Sequence, residues 1–319
     1  MASSAGKVPA LVTTEWLAEA LEAGKTPDGR SIRLLDATWL GMADEGRDAH
    51  GKQHIPGSLY IDLNQLRNKD TSYYFTIPTS EFFAEFVGKT LGIDNNTHVI
   101  VYENDPYYSI MTAPRIWWMF RYFDHGVVSV LDGGLQQWVA ENRRVTDEAT
   151  PAPQPANFKV TRTRTEIFKN FDDILENVKE TKFQLMDSRP VEWYDGTLPS
   201  PYPGLKLGIM KMAVNIPFPN ILTEGSSKFK KPDDIKSLFH SKGIDLSRPL
   251  TSTCFVGVTA CILAFSAFLV GREDVAVFDG SWDEYSQRGP DDSMTVYEVK
   301  VNLNDTDDTF PPVPTFNKQ

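Results

Sequence analysis

The chain has 319 residues, 41% of them hydrophobic and two of them cysteine, with a formal net charge of −11. That length fills two ordinary cores more readily than one, and the negative balance repels nucleic acid and anionic membrane over most of the surface. Two cysteines are too few for a disulfide framework, so a reducing compartment is expected, with the cytosol as the default and a mitochondrial destination left open.

From the start of the chain, Met1 to Val12 holds one lysine, no arginine and no apolar run of signal-peptide length. Neither secretion nor a strong presequence is expected. Leu34-Leu35-Asp36-Ala37-Thr38 reads as a buried strand ending in a turn. Thr79 to Leu91 has a helical pattern, and Val99-Ile100-Val101-Tyr102 is a short apolar run of strand type. This alternation is the βαβ pattern of a sheet covered by helices. Trp117 and Trp118 are expected in the core or at a domain interface. Val130 to Trp138 then reads as a strand, a glycine turn at Gly133-Gly134 and a helix start.

Residues 149–157 contain three prolines, at 151, 153 and 155, which favour an extended linker. Beyond them the pattern returns. Leu185-Met186-Asp187-Ser188-Arg189 repeats the segment at Leu34, and Val277 to Tyr285 repeats the segment at Val130, at nearly the same spacing. The expected organisation is therefore a duplicated α/β fold, each half a mainly parallel sheet flanked by helices. Its parts are residues 1–148, a linker at 149–157 and residues 158–319.

The chemistry gathers in the second half. Pro249 to Thr253 reads as a strand and Ala260 to Phe265 as an apolar helix start, with Cys254-Phe255-Val256-Gly257-Val258-Thr259 between them. In open α/β sheets ligands bind at the carboxyl ends of strands, and a loop entering a helix aims backbone N–H groups at them. Such a loop favours a thiolate and, after it, a persulfide. Gly257 lets the backbone curl around the sulfur, and Thr259 is expected to cap the helix with its hydroxyl. Cys261 falls mid-helix and reads as core. The uncharged stretch from Thr251 to Gly271 is long enough to span a bilayer, but its small polar residues favour a buried helix. A cysteine-dependent phosphatase would place an arginine six residues after the nucleophile, where this chain has Ala260.

The cysteine loop, followed by Asp274 to Trp282, resembles the catalytic domain of tandem rhodaneses and mercaptopyruvate sulfurtransferases. His54-Ile55-Pro56-Gly57-Ser58, Ala113 to Phe120 and Leu131-Asp132-Gly133-Gly134 resemble that family's non-catalytic N-terminal domain. The resemblance implies two rhodanese-like domains, with Cys254 as the sulfur carrier and Glu103 near the cysteine's place in the first half. It implies Arg189 as the donor-binding arginine, and Asp48 and His54 at the acid and imidazole positions of a relay. As a residue alone, His54 reads first as a histidine packing the turn before Pro56, and Arg189 equally as a surface ion pair.

The sequence also departs from the family. Phe255-Val256 replaces both the basic pair suited to thiosulfate and the serine-ending set suited to 3-mercaptopyruvate. A second arginine is replaced near Trp193-Tyr194, and the second His-Ile-Pro-Gly motif is reduced to Ile209-Met210-Lys211-Met212. No phosphate loop, zinc spacing or dinucleotide fingerprint occurs, so no metal or organic cofactor is expected. The implied partners are a small sulfur donor and a thiol or cyanide acceptor, protein thiols included, with no nucleic acid or membrane. The contrasting expectation is a divergent, weakly active chain serving as a persulfide carrier or protein-binding module.

Overall fold

A computed structural model describes residues 8–40, 45–106, 108, 110–202 and 204–297. The leader reading rests largely on residues 1–7, which lie outside that range. Strands β1 (Leu11–Val12), β2 (Ile32–Asp36), β3 (Leu59–Tyr60), β4 (His98–Tyr102) and β5 (Val128–Leu131) form one parallel sheet in the order β1-β5-β4-β2-β3. They are followed by β6 (Phe168–Lys169), β7 (Gln184–Asp187), β8 (Leu207–Met210), β9 (Ala213–Asn215), β10 (Leu250–Thr253), β11 (Ala276–Phe278) and β12 (Met294–Tyr297). All but β8 and β12 join a second parallel sheet, ordered β6-β11-β10-β7-β9, and those two pair antiparallel in a separate ribbon.

The two strand orders are the same once the halves are aligned, as the repeated strand motifs imply. β4 and β10, which lie mid-sheet, are buried along their whole length, as parallel strands covered by helices on both faces must be. The degraded motif at Ile209 to Met212 leads into β9, just as His54 to Ser58 leads into β3.

The seam between the halves is aromatic. Helix Ala113–Tyr122 is buried through nearly all its residues and lies against helix Ala260–Leu269. There Trp117 meets Phe265 edge-on at 4.7 Å and Phe268 at 5.1 Å, while Trp118 Nε1 donates to Ile167 O at 3.2 Å. Both tryptophans are thus core and interface, as expected. Among the described residues no helix is long and apolar enough to cross a membrane. The uncharged run at Thr251 is divided among β10, a loop and that short helix.

The proline segment has no helix or strand, but it is bound to the first half and is not a free tether. Ala156 N–H donates to Gly88 O at 2.9 Å, and Asn95 exchanges two bonds with the Lys159 backbone. A Cβ at Gly88 would lie 2.7 Å from Ala156 O, so the close approach there needs glycine. Phe158, first residue of the second unit as delimited from sequence, packs against Phe83, Phe120 and His125 of the first.

Candidate active site

Register decides which side chains meet. Thr253 at the end of β10 lies beside Asp187 at the end of β7, so Cys254 and Arg189 emerge from neighbouring strand ends. The chain then turns through Gly257, whose φ is +80°. A Cβ there would lie 2.4 Å from Asp279 O, so no other residue fits. This turn points the Gly257 N–H at Cys254 Sγ, 3.1 Å away. The Cys254 backbone is held from both sides, its N–H donating to Ser281 Oγ at 3.2 Å and its carbonyl accepting from Trp282 N–H at 3.0 Å.

The cap expected of Thr259 is not made. Thr259 stands at the N-cap position with helical backbone angles and no side-chain cap bond, and its hydroxyl instead pairs with Ser188 Oγ at 2.8 Å. A threonine already in helical conformation cannot fold its hydroxyl over the first turn. Cys261 is core as expected: its thiol donates to Gly257 O at 3.4 Å, and burial pushes it up to about 12.

Arg189 is no surface ion pair, being 1% exposed. Its Nε and Nη2 grip Asp187 at 3.0 and 2.7 Å, and its guanidinium lies 5.0 Å from the Phe255 ring centre. The fork expected to bind a donor is thus mostly committed to Asp187. One nitrogen remains, Nη1, which is buried without a hydrogen-bond partner among the described residues.

Cys254, Phe255, Val256, Val258, Thr259 and Arg189 line a common cleft of about 50 Å³. Its walls are aromatic, formed by Trp39, Tyr108, Trp193, Tyr202 and Phe218 together with Phe255. Burial first, and the Cys254 sulfur after it, hold the Tyr202 phenol well above its ordinary value, so it stays protonated. Trp39 and Tyr108 come from the first half, and the cleft is therefore shared across the seam.

His54 and Asp48 do not line this cleft. His54 is buried, donates through Nδ1 to His50 O at 2.7 Å and stacks on the His50 ring at 4.1 Å, which is the turn-packing role. Asp48 is exposed on helix Glu45–Lys52.

In the first half, Tyr102 pairs with Asp36 as Thr253 pairs with Asp187, so Glu103 stands where Cys254 stands in the second. Its carboxyl accepts from Ala113 N–H at 2.8 Å, and from the Thr112 N–H and hydroxyl at 3.1 and 3.0 Å. The first half thus fills its own loop with a side-chain acid, which burial pushes up to about 7.

Sequence reasoning missed two side-chain supports of the loop. Arg115 donates to Asp279 Oδ1 at 2.7 Å and to Gly257 O at 3.3 Å. Ser281, at φ +48°, turns its hydroxyl onto Cys254 N–H. Its signal was present, since it replaces Gly134 of the first half, which has φ +54°. A non-glycine residue held there marks a position whose side chain has a task.

The rhodanese-like domain family matches residues 13–141. Thiosulfate sulfurtransferase of Rattus norvegicus is 44% identical over 283 residues, covering 88% of this chain and 93% of the relative. 3-Mercaptopyruvate sulfurtransferase of Homo sapiens is 40% identical over 290 residues, covering 90% and 95%. Among solved structures, SseA from Escherichia coli, described as a 3-mercaptopyruvate sulfotransferase of rhodanese fold, superposes with a TM-score of 0.71. It is 26% identical, covering 86% of this chain and 98% of that one.

Proposed function

Because the chain belongs to the rhodanese family of sulfurtransferases, we propose that it works through a persulfide on Cys254, charged by thiosulfate or 3-mercaptopyruvate and discharged to cyanide or a thiol. The carrying observation is the Gly257 N–H aimed at Cys254 Sγ from a strand-to-helix loop, on a cleft that Arg189 shares. In this reading the second half is the catalytic one, and the first supplies wall and support.

In the first half-reaction the Cys254 thiolate attacks the donor's outer sulfur. With thiosulfate, the S–S bond breaks and sulfite leaves with the electron pair. With 3-mercaptopyruvate, the C–S bond breaks, and the carbon keeps the pair and takes the thiol proton to give pyruvate. Both leave Cys–S–S⁻, which the loop amides and the helix N-terminus stabilise as an anion. In the second half-reaction cyanide or a thiolate attacks the terminal sulfur and restores the Cys254 thiolate. Two half-reactions on one enzyme form imply ping-pong kinetics.

Intact mass after incubation with each donor tests this. The expected result is one added sulfur atom, lost on treatment with cyanide or a thiol and absent in Cys254→Ser. No added mass with either donor would sink the reading. Charging without turnover would identify a carrier.

A further inference from the structure

We propose that the groove at the carboxyl ends of β6 and β11 is a second ligand site, and that it takes a monoanionic polyhydroxy carboxylate, a sugar acid. Lys169 and Phe278 pair at those strand ends, one strand removed from β10 and its cysteine loop. Crevices outside the carboxyl ends of strands are where open α/β sheets hold ligands. The opposite wall belongs to the first half, drawn from within residues 68–80 and from the end of helix Ala113–Tyr122. The groove holds about 480 Å³, inside the usual range of small-molecule sites, about 300–1,000 Å³. It shares no lining residue with the aromatic cleft.

Its polar side chains carry donors in excess. Asn68 and Asn170 use their side-chain oxygens to accept from Asp70 and Asp173 N–H, at 2.9 and 3.0 Å, and each keeps an NH₂ group. Thr71 Oγ1 likewise accepts from Tyr73 N–H at 2.9 Å and keeps its O–H. Thr76 Oγ1 is buried with no hydrogen-bond partner among the described residues, a cost that a ligand oxygen would remove. Lys169 brings the charge, its Nζ standing 3.8 Å from Asp173 Oδ1, too far for a hydrogen bond. The two acids of the wall are already engaged, Asp279 by Arg115 and Ile77 N–H, and Glu284 by Arg288. An oxygen-rich ligand with one negative charge satisfies this set, whereas a second charge would face those carboxylates. The Tyr122 and Phe168 rings, 5.5 Å apart, supply aromatic surface for the C–H side of a sugar.

Titration calorimetry of the full chain with D-glucuronate, D-glucose and D-glucose 6-phosphate tests this, since one sugar frame then carries a single charge, none and two. Glucuronate should bind saturably and about fivefold or more tighter than either of the others, as a charge-assisted bond to Lys169 requires. Lys169→Met should erase its preference over glucose. Thr76→Val, nearly the same in shape, should weaken glucuronate several-fold. Both variants are checked for parental circular dichroism, and neither residue lines the cleft of Cys254, so these losses place the ligand in the groove. Three results would each overturn the proposal: no saturable binding of glucuronate, glucose or its 6-phosphate binding as tightly as glucuronate, or glucuronate binding unchanged in either folded variant.

Discussion

Arg115, on a helix of the first domain, donates to Asp279 of the second at 2.7 Å, with the two side chains 0% and 5% exposed. The same guanidinium reaches Phe75 O at 2.6 Å and Gly257 O at 3.3 Å. Asp279 Oδ2 in turn accepts from Ile77 N–H at 2.9 Å, and Asp283 Oδ2 accepts from Tyr74 N–H at 3.0 Å. The first half therefore braces the loop that carries Cys254.

Arg115→Met should be costly, because it leaves Asp279 as an uncompensated buried charge, worth about 3–5 kcal/mol. Adding Asp279→Asn should recover a good part of that loss, since no charge is then stranded. Denaturant melts of both single variants and the double form a cycle that reads the coupling. Simple additivity would show that the pair does not act as a unit. Sulfur transfer should fall in Arg115→Met as well, because Gly257 O loses one of its two side-chain donors.

Cys254→Ser should abolish sulfur transfer while leaving the melting temperature nearly unchanged, since a hydroxyl fits the site but forms no persulfide. Cys261→Ser should keep activity within a few-fold, its hydroxyl replacing the thiol as donor to Gly257 O. Steady-state assays on the two variants check both statements. Parental activity in Cys254→Ser would remove the proposed mechanism.

Much of this site is legible in the amino-acid sequence. The strand ending at Thr253 and the glycine three residues after Cys254 define the loop, because local residue types alone demand it. The duplicated motifs carry the topology, and with it the equivalence of Glu103 and Cys254. What pattern cannot supply is contact across long separations. Arg115 reads as one more helix residue until the seam brings it to Asp279, 164 positions away. Arg189 is legible as a pocket arginine, but its grip on Asp187 depends on the backbone turn at Ser188. Nor can sequence show that the prolines lie strapped to the first domain, since an extended segment has the same composition free or bound.

Glu103 gives a pH test. Burial raises its carboxyl from an ordinary 4.5 to about 7, so the folded state holds a proton that the unfolded state releases. Its contribution is fully present below pH 4.5 and is lost as pH rises to about 7, after which it is flat. Over that window the acid forfeits up to about 3 kcal/mol. Glu103→Gln cannot ionise and escapes this loss. The stability of the variant minus that of the parent should therefore rise between pH 5 and pH 7.5, as read by denaturant melts across that range. A difference independent of pH would mean that Glu103 titrates as an ordinary surface acid.

The final prediction concerns donor charge. Thiosulfate is a dianion facing one arginine that Asp187 already neutralises, so its KM should exceed that of monoanionic 3-mercaptopyruvate. From sequence, restoring basic residues at both Phe255 and Val256 looks like the direct test. The structure narrows the choice. Phe255 is 5% exposed and stacks on Arg189 at 5.0 Å, so an arginine there would set two guanidinium groups together and remove the ring that covers one of them. Val256 is buried too, at 3% exposed, but it lines the cleft as an aliphatic side chain and has no ring to stack on Arg189. Val256→Lys should lower the KM for thiosulfate several-fold at low ionic strength and change that for 3-mercaptopyruvate less. The gain should shrink only in part with added salt, because Val256 is buried and a charge there is screened less than one on the surface. A thiosulfate KM unchanged at low salt, in a variant that still accepts sulfur from 3-mercaptopyruvate, would show that the charge beside Cys254 does not select the donor and would leave Arg189 as the candidate for selection.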